Sequence, residues 1–75
     1  MKYKLNQIIE ALLLSASRPV SIEEIEKVFV ENAPSREEIR KSLKEIEEDC
    51  LNRGIELKKV STGFRLQVKQ DLSSF

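Results

Sequence analysis

Residues 53–69 read RGIELKKVSTGFRLQVK. Ile55 and Leu57 alternate with Glu56 and Lys58, and beyond STG, Phe64, Leu66 and Val68 alternate with Arg65, Gln67 and Lys69. A period of two puts successive side chains on opposite sides of a pleated strand, so this stretch predicts a β-hairpin with one apolar face and one charged face, closed by a Gly-containing loop. Gly54 stands where a left-handed C-cap residue is expected, at the point where a helical period gives way to the strand period. A two-stranded hairpin is marginal alone in water, so the preceding residues must supply the layer that its apolar face, Ile55, Leu57, Phe64, Leu66 and Val68, packs on.

That layer is legible as three helices. Leu5, Ile8, Ile9, Leu12 and Leu13 follow i, i+3, i+4, i+7, i+8, which gathers them on one face of a first helix ending near Ser17. Pro19 lacks a backbone donor and disfavours helical angles at Arg18, so SRPV is an extended connector with a very short edge strand at Val20. Ser21 and Glu24 have capping-box spacing and open a second helix with apolar positions Ile22, Ile25, Val28 and Phe29, which ENAPS interrupts at Pro34. Ser35 and Glu38 repeat the device and open the longest helix, running to about Arg53, with Ile39, Leu43, Ile46 and Cys50 within a narrow arc.

Helix, short extended piece, helix, helix, strand, strand is the order of a winged helix-turn-helix domain, a mainly α (α+β) fold of three helices plus a C-terminal β-hairpin wing. Residues 1–70 are read as that domain and 71–75 as a polar tail or the start of a linker, with Phe75 as an anchor. A chain of 75 residues has room for one domain only. At this size about 60% of the unfolded chain's surface is buried on folding, so the core is small.

The composition excludes several chemistries. There is no histidine, so the commonest general base is missing, and a single cysteine, Cys50, lies on the core stripe of the third helix. One thiolate and carboxylates make a poor zinc site, so no metal is expected, and nothing resembles a Gly-rich phosphate cradle, so no cofactor is expected either. A lone thiol closes no internal disulfide, in keeping with a reducing, cytoplasmic compartment. The run IIEALLL is broken by Glu10 and is far shorter than the ~20 residues of a membrane span. Catalysis is not expected; a binding or assembly module is.

Charge narrows the kind of binding. A helix-turn-helix reader presents donors and cations on its third helix. Here the outward side carries Glu37, Lys41, Lys44 and Glu48, flanked by Arg40 and Glu45, and Glu37–Lys41, Lys41–Glu45 and Lys44–Glu48 are opposite-charge i, i+4 pairs expected to cancel. The hairpin differs: Arg53, Lys58, Lys59, Arg65 and Lys69 stand against Glu56, a net +4, whereas residues 1–52 hold eight basic and eleven acidic side chains, a net −3. Lys58, Lys59 and Arg65 are the candidate charged contact on the wing, for phosphates or for an acidic protein. Cations on a small hairpin also block sheet-to-sheet aggregation, a purely structural use. Tyr3 and Leu14 fall off the core stripe of the first helix and are the candidate partner or dimer contact.

The stretch IIEALLLSASRPVSIEEI, residues 8–25, together with the hairpin, resembles the N-terminal winged-helix domain of bacterial segregation and condensation protein B. That family shows an EALLFAS helix, a P(L/V)S connector and an RGxxLxxVxxGxRLxTK hairpin, matched here by Glu10 to Ser17, Pro19 to Ser21, and Arg53 to Lys69 with Gly63, Arg65 and Leu66 in register. The resemblance covers nearly the whole chain. It implies a non-catalytic accessory subunit of a condensin-like complex acting in chromosome condensation and segregation, cytoplasmic and associated with the nucleoid. It further implies a homodimer that binds the kleisin subunit, segregation and condensation protein A, which bridges the structural-maintenance-of-chromosomes ATPase, with DNA contact weak or indirect and no membrane. Members carry two tandem winged helices, and the pattern here is that of one. The alternative from the residues is a small winged-helix DNA-binding transcriptional regulator using the hairpin on phosphates. A domain of another multi-subunit machine built on the same fold is a third.

Overall fold

The computed structural model describes residues 3–72; Phe75 and the rest of the tail beyond Leu72 lie outside the described residues. Three helices, α1 (Leu5–Ser15), α2 (Ile22–Lys27) and α3 (Arg36–Asp49), precede two strands, β1 (Ile55–Val60) and β2 (Gly63–Val68). Short 3-10 turns cover Cys50–Asn52 and Gln70–Leu72, the second bringing Leu72 against Gly54 at the open end of the hairpin.

Both serine caps form as their spacing predicts. The Glu24 amide donates to Ser21 Oγ and the Ser21 amide to Glu24 Oε1, each at 3.1 Å. Ser35 and Glu38 repeat the arrangement, also at 3.1 Å. The α1 start has only half of it: the Lys4 amide donates to Gln7 Oε1 at 2.9 Å, and a lysine side chain has no lone pair to return. Between α2 and α3, Asn32 takes φ 52°, a left-handed conformation that asparagine tolerates better than most residues.

The core is one cluster in which all three helices and the hairpin meet: Ile9 and Leu13 from α1, Ile25 from α2, Ile39, Leu43 and Ile46 from α3, with Val20, Cys50 and Leu66. The connector strand is real but minimal. Val20 forms an isolated antiparallel bridge to Phe64, so Pro19 is followed by a single paired residue at the edge of β2.

Two expected core positions are exposed. Val28 is the C-cap of α2, which ends at Lys27, and Phe29 instead packs against the core. Val68 occupies the last rung of the ladder opposite Ile55; only Ile55 of that pair reaches the core, and Val68 stays 53% exposed. Ile55, Leu57 and Phe64 are half-buried, so Leu66 alone fully seals the sheet to the helices.

Between α1 and α3 sits one buried polar contact. The Ser42 hydroxyl, on a residue 2% exposed, donates to Asn6 Oδ1, and Asn6 Nδ2 donates to Glu45 Oε1 at 3.1 Å. The short chain Ser42–Asn6–Glu45 satisfies the hydroxyl and fixes the register of the two helices, which an apolar contact alone leaves free to slide.

Candidate functional site

The ladder register sorts the hairpin cations. Lys58 is directly opposite Arg65, on the same side as the Glu56–Gln67 pair, whereas Lys59 is opposite Phe64 and shares the side of Leu57 and Leu66. Lys58 and Arg65 therefore stand together on the solvent face, two like charges across a rung, and Lys59 projects toward the helical body instead. The remaining cations are held: Lys69 Nζ donates to the Leu51 carbonyl at 3.0 Å, and Arg53 lies 3.9 Å from Glu10. Lys58, Lys59 and Arg65 thus do not form one patch, although none of the three has an ion-pair partner among the described residues.

Lys59 belongs to a cleft of about 510 Å³ between α3, the start of α2 and the hairpin. Its floor is apolar, made by Ile22, Leu43, Leu57 and Phe64, and the hairpin loop Ser61–Gly63 closes one end. Arg36, Arg40 and Lys44 line the α3 wall, with Glu47 beside them. Arg36 is occupied by α2, its Nε 3.2 Å from Glu26 Oε1 and its guanidinium 4.0 Å from Glu23. Arg40 and Lys44 have no such partner among the described residues.

This corrects the expectation of a self-cancelling third helix. None of Glu37–Lys41, Lys41–Glu45 and Lys44–Glu48 closes to within an ion-pair distance among the described residues. The charges separate across the helix instead. Arg36, Arg40 and Lys44 are spaced i, i+4, i+8 and share the flank that lines the cleft with a single α3 carboxylate, Glu47, while Glu37, Glu38, Glu45 and Glu48 with Lys41 lie outside the cleft lining. Counting charges over the whole outward surface conceals this; tracing the i, i+4 rows reveals it.

Tyr3 and Leu14 are both exposed, at 59% and 58%. They are not neighbours: Tyr3 precedes the helix and Leu14 is in its last turn, so about 13 Å of helix axis or more lies between them. Each is an isolated apolar side chain. Val30, at the α2–α3 loop, is the most exposed of the large apolar residues at 96%, a position that the sequence reading passed over. Cys50 is 3% exposed, and burial first, then the carboxylates of Glu10 and Asp49, push its thiol above the usual range against the opposing pull of Arg53. It is a packed side chain, as its stripe position predicts. Among the described residues no group of acidic or sulfur ligands gathers to hold a metal, and no helix is long and apolar enough to cross a membrane.

The model of the family described as segregation and condensation complex subunit ScpB matches residues 7–75. The chain belongs to the ScpB family. A curated relative, the segregation and condensation protein B homolog of Coxiella burnetii (strain RSA 493 / Nine Mile phase I), is 37% identical over 67 residues. That match covers 88% of this chain but 32% of the relative, so the chain spans about a third of the ScpB homolog's length. Among solved structures, a dimer of an ScpB N-terminal domain complexed with an ScpA peptide superposes with a TM-score of 0.75 at 29% identity, covering 88% of this chain and 76% of that one. The winged-helix fold and the family expected from the EALLLSAS helix and the hairpin are therefore both borne out.

Proposed function

We propose that the chain acts as the N-terminal winged-helix module of a ScpB-type accessory subunit in a condensin-like complex, in chromosome condensation and segregation. It contributes by self-association and by binding the kleisin ScpA, and through ScpA it meets the structural-maintenance-of-chromosomes ATPase in the cytoplasm, on the nucleoid. It performs no chemistry of its own. The observation that carries this reading is the likeness to an ScpB N-terminal domain that is itself a dimer complexed with an ScpA peptide. The absence of histidine and the burial of the one cysteine support the non-catalytic part.

Sedimentation over a concentration series, with and without the kleisin of the same organism, tests it. The expected result is a concentration-dependent dimer and a heavier species on adding the kleisin. A strict monomer that ignores the kleisin overturns the reading. A parallel gel shift with duplex DNA tests the regulator alternative: tight binding that weakens steeply with salt, and that disappears in a Lys58→Ala/Arg65→Ala variant, favours a DNA-binding role.

A further inference from the structure

Phe64 directs its amide and its carbonyl to Val20, away from β1. The Lys59–Phe64 rung is then a non-hydrogen-bonded one, and since rungs alternate in an antiparallel ladder, Leu57 and Lys59 also turn their backbone amides and carbonyls away from β2. The Gly54 carbonyl accepting from the Lys69 amide at 2.9 Å fixes the same phase at the other end of the hairpin. The sheet has two strands, so this outer edge of β1 is unpaired among the described residues, and it borders the cleft beneath α3. One surface therefore combines a free strand edge, an apolar floor of Leu43, Leu57 and Phe64, and the cations Arg40, Lys44 and Lys59, which close no ion pair among the described residues and, with Arg36, outnumber the lining carboxylates Glu23 and Glu47.

The cations add an independent indication. Arg36, Arg40 and Lys44 are like charges at successive i, i+4 positions, an arrangement that works against the helix carrying it. Arg36 is neutralised by Glu23 and Glu26, whereas Arg40 and Lys44 close no ion pair among the described residues, although Glu47 lines the same wall. A strand edge left open beside such a wall is a template for main-chain pairing whose side-chain selectivity is set by the wall.

We propose that this cleft takes an extended, acidic segment of the kleisin, which adds to the free edge of β1 as a further strand, with alternate apolar side chains on the Leu43–Leu57–Phe64 floor and carboxylates against Arg40, Lys44 and Lys59. The proposal rests on the partner reading above and names the surface and the chemistry of the bound segment. A phosphate backbone satisfies the cations but leaves the apolar floor and the edge amides without partners, so the cleft fits a peptide better than a duplex.

Titration calorimetry of the whole chain with the purified full-length kleisin of the same organism tests it, with two variants. Arg40→Ala/Lys44→Ala removes the charge at two exposed helix positions and puts the best helix former there, so the fold is retained. Lys59→Pro removes an amide that points outward, which an edge position tolerates, and so blocks strand addition while sparing the hairpin. The expected result is at least tenfold weaker kleisin binding by each variant, with unchanged far-ultraviolet circular dichroism and an unchanged dimer. Equal binding, within twofold, by the parent and both variants overturns the cleft assignment and leaves the partner reading standing. No kleisin binding by the parent overturns both. Loss of duplex binding by the variants, with kleisin binding intact, overturns the proposal in favour of a nucleic-acid groove.

Discussion

Val20 and Phe64 exchange a pair of backbone hydrogen bonds, each 2.8 Å, where the connector between the first two helices meets the hairpin. This contact sets the phase of the whole ladder. Native-state hydrogen exchange should therefore alternate along β1: the amides of Glu56 and Lys58, which face β2, slow, and those of Leu57 and Lys59 fast, with Phe64 slow because of Val20. Uniform protection along β1 would contradict the free edge.

Gly63 makes that bridge possible. At φ 146° it takes the positive angle that follows the Ser61–Thr62 turn, and a Cβ there would lie 2.4 Å from the Val20 carbonyl oxygen. No side-chain rotation relieves a clash with backbone. Gly63→Ala is expected to cost about 2–4 kcal/mol, combining conformational strain with overpacking. Thermal or urea unfolding measures it, and a variant as stable as the parent would mean that the bridge does not form.

Asn6 and Ser42 should behave as a unit. Asn6→Ala strands the Ser42 hydroxyl in the α1–α3 interface, which is expected to destabilise by about 1–3 kcal/mol. Adding Ser42→Ala removes the stranded group, so the double variant is expected to be more stable than Asn6→Ala alone. Urea unfolding of the four proteins gives the coupling, and strict additivity would rule it out.

Glu24 carries a pH dependence whose direction is fixed. The Arg18 guanidinium, which donates to both of its oxygens, and then the Ser21 amide hold its carboxyl down at about 2 from an ordinary 4.5. Because the folded value is the lower one, the contribution is full above the unfolded carboxyl's pKa and is lost as pH falls through the folded value. The window is thus about pH 4.5 to 2, with stability falling toward the acid side. A carbon-detected NMR titration should place the Glu24 midpoint near the bottom of that window in the parent and closer to ordinary in Arg18→Met. An unchanged midpoint in the variant would assign the depression to the capping box alone.

The elements are readable because each has a local cause: Ser21 and Ser35 announce their helices through side-chain geometry, and Gly54 marks the change of period, although the left-handed angle expected there occurs instead at the loop glycine, Gly63. Cys50 was placed by the stripe it shares with Ile39, Leu43 and Ile46, all buried. What failed had a tertiary cause. The exposure of Val68 depends on how far the helical layer extends beneath the sheet, which alternation does not encode. The separation of Lys59 from Lys58 and Arg65 follows from ladder parity, and that parity was present in the sequence once the loop length was known. The cationic flank of α3 was also present, in the 36, 40, 44 spacing, but pairing each lysine with its nearest glutamate obscured it. Tyr3 and Leu14 were correctly placed off the stripe, yet angle alone ignores distance along the axis and cannot make them one surface.

The uneven charge of α3, with Arg36, Arg40 and Lys44 outnumbering Glu47 on its cleft side and carboxylates outnumbering Lys41 elsewhere, has a kinetic corollary. A rod charged differently on its two long sides exerts a torque on an approaching charged body, so an incoming polyanion is rotated before it touches and rejected when it arrives from behind. Mis-docked encounters become rarer, and association should accelerate as ionic strength is lowered, even though the 75-residue chain has a formal net charge of zero.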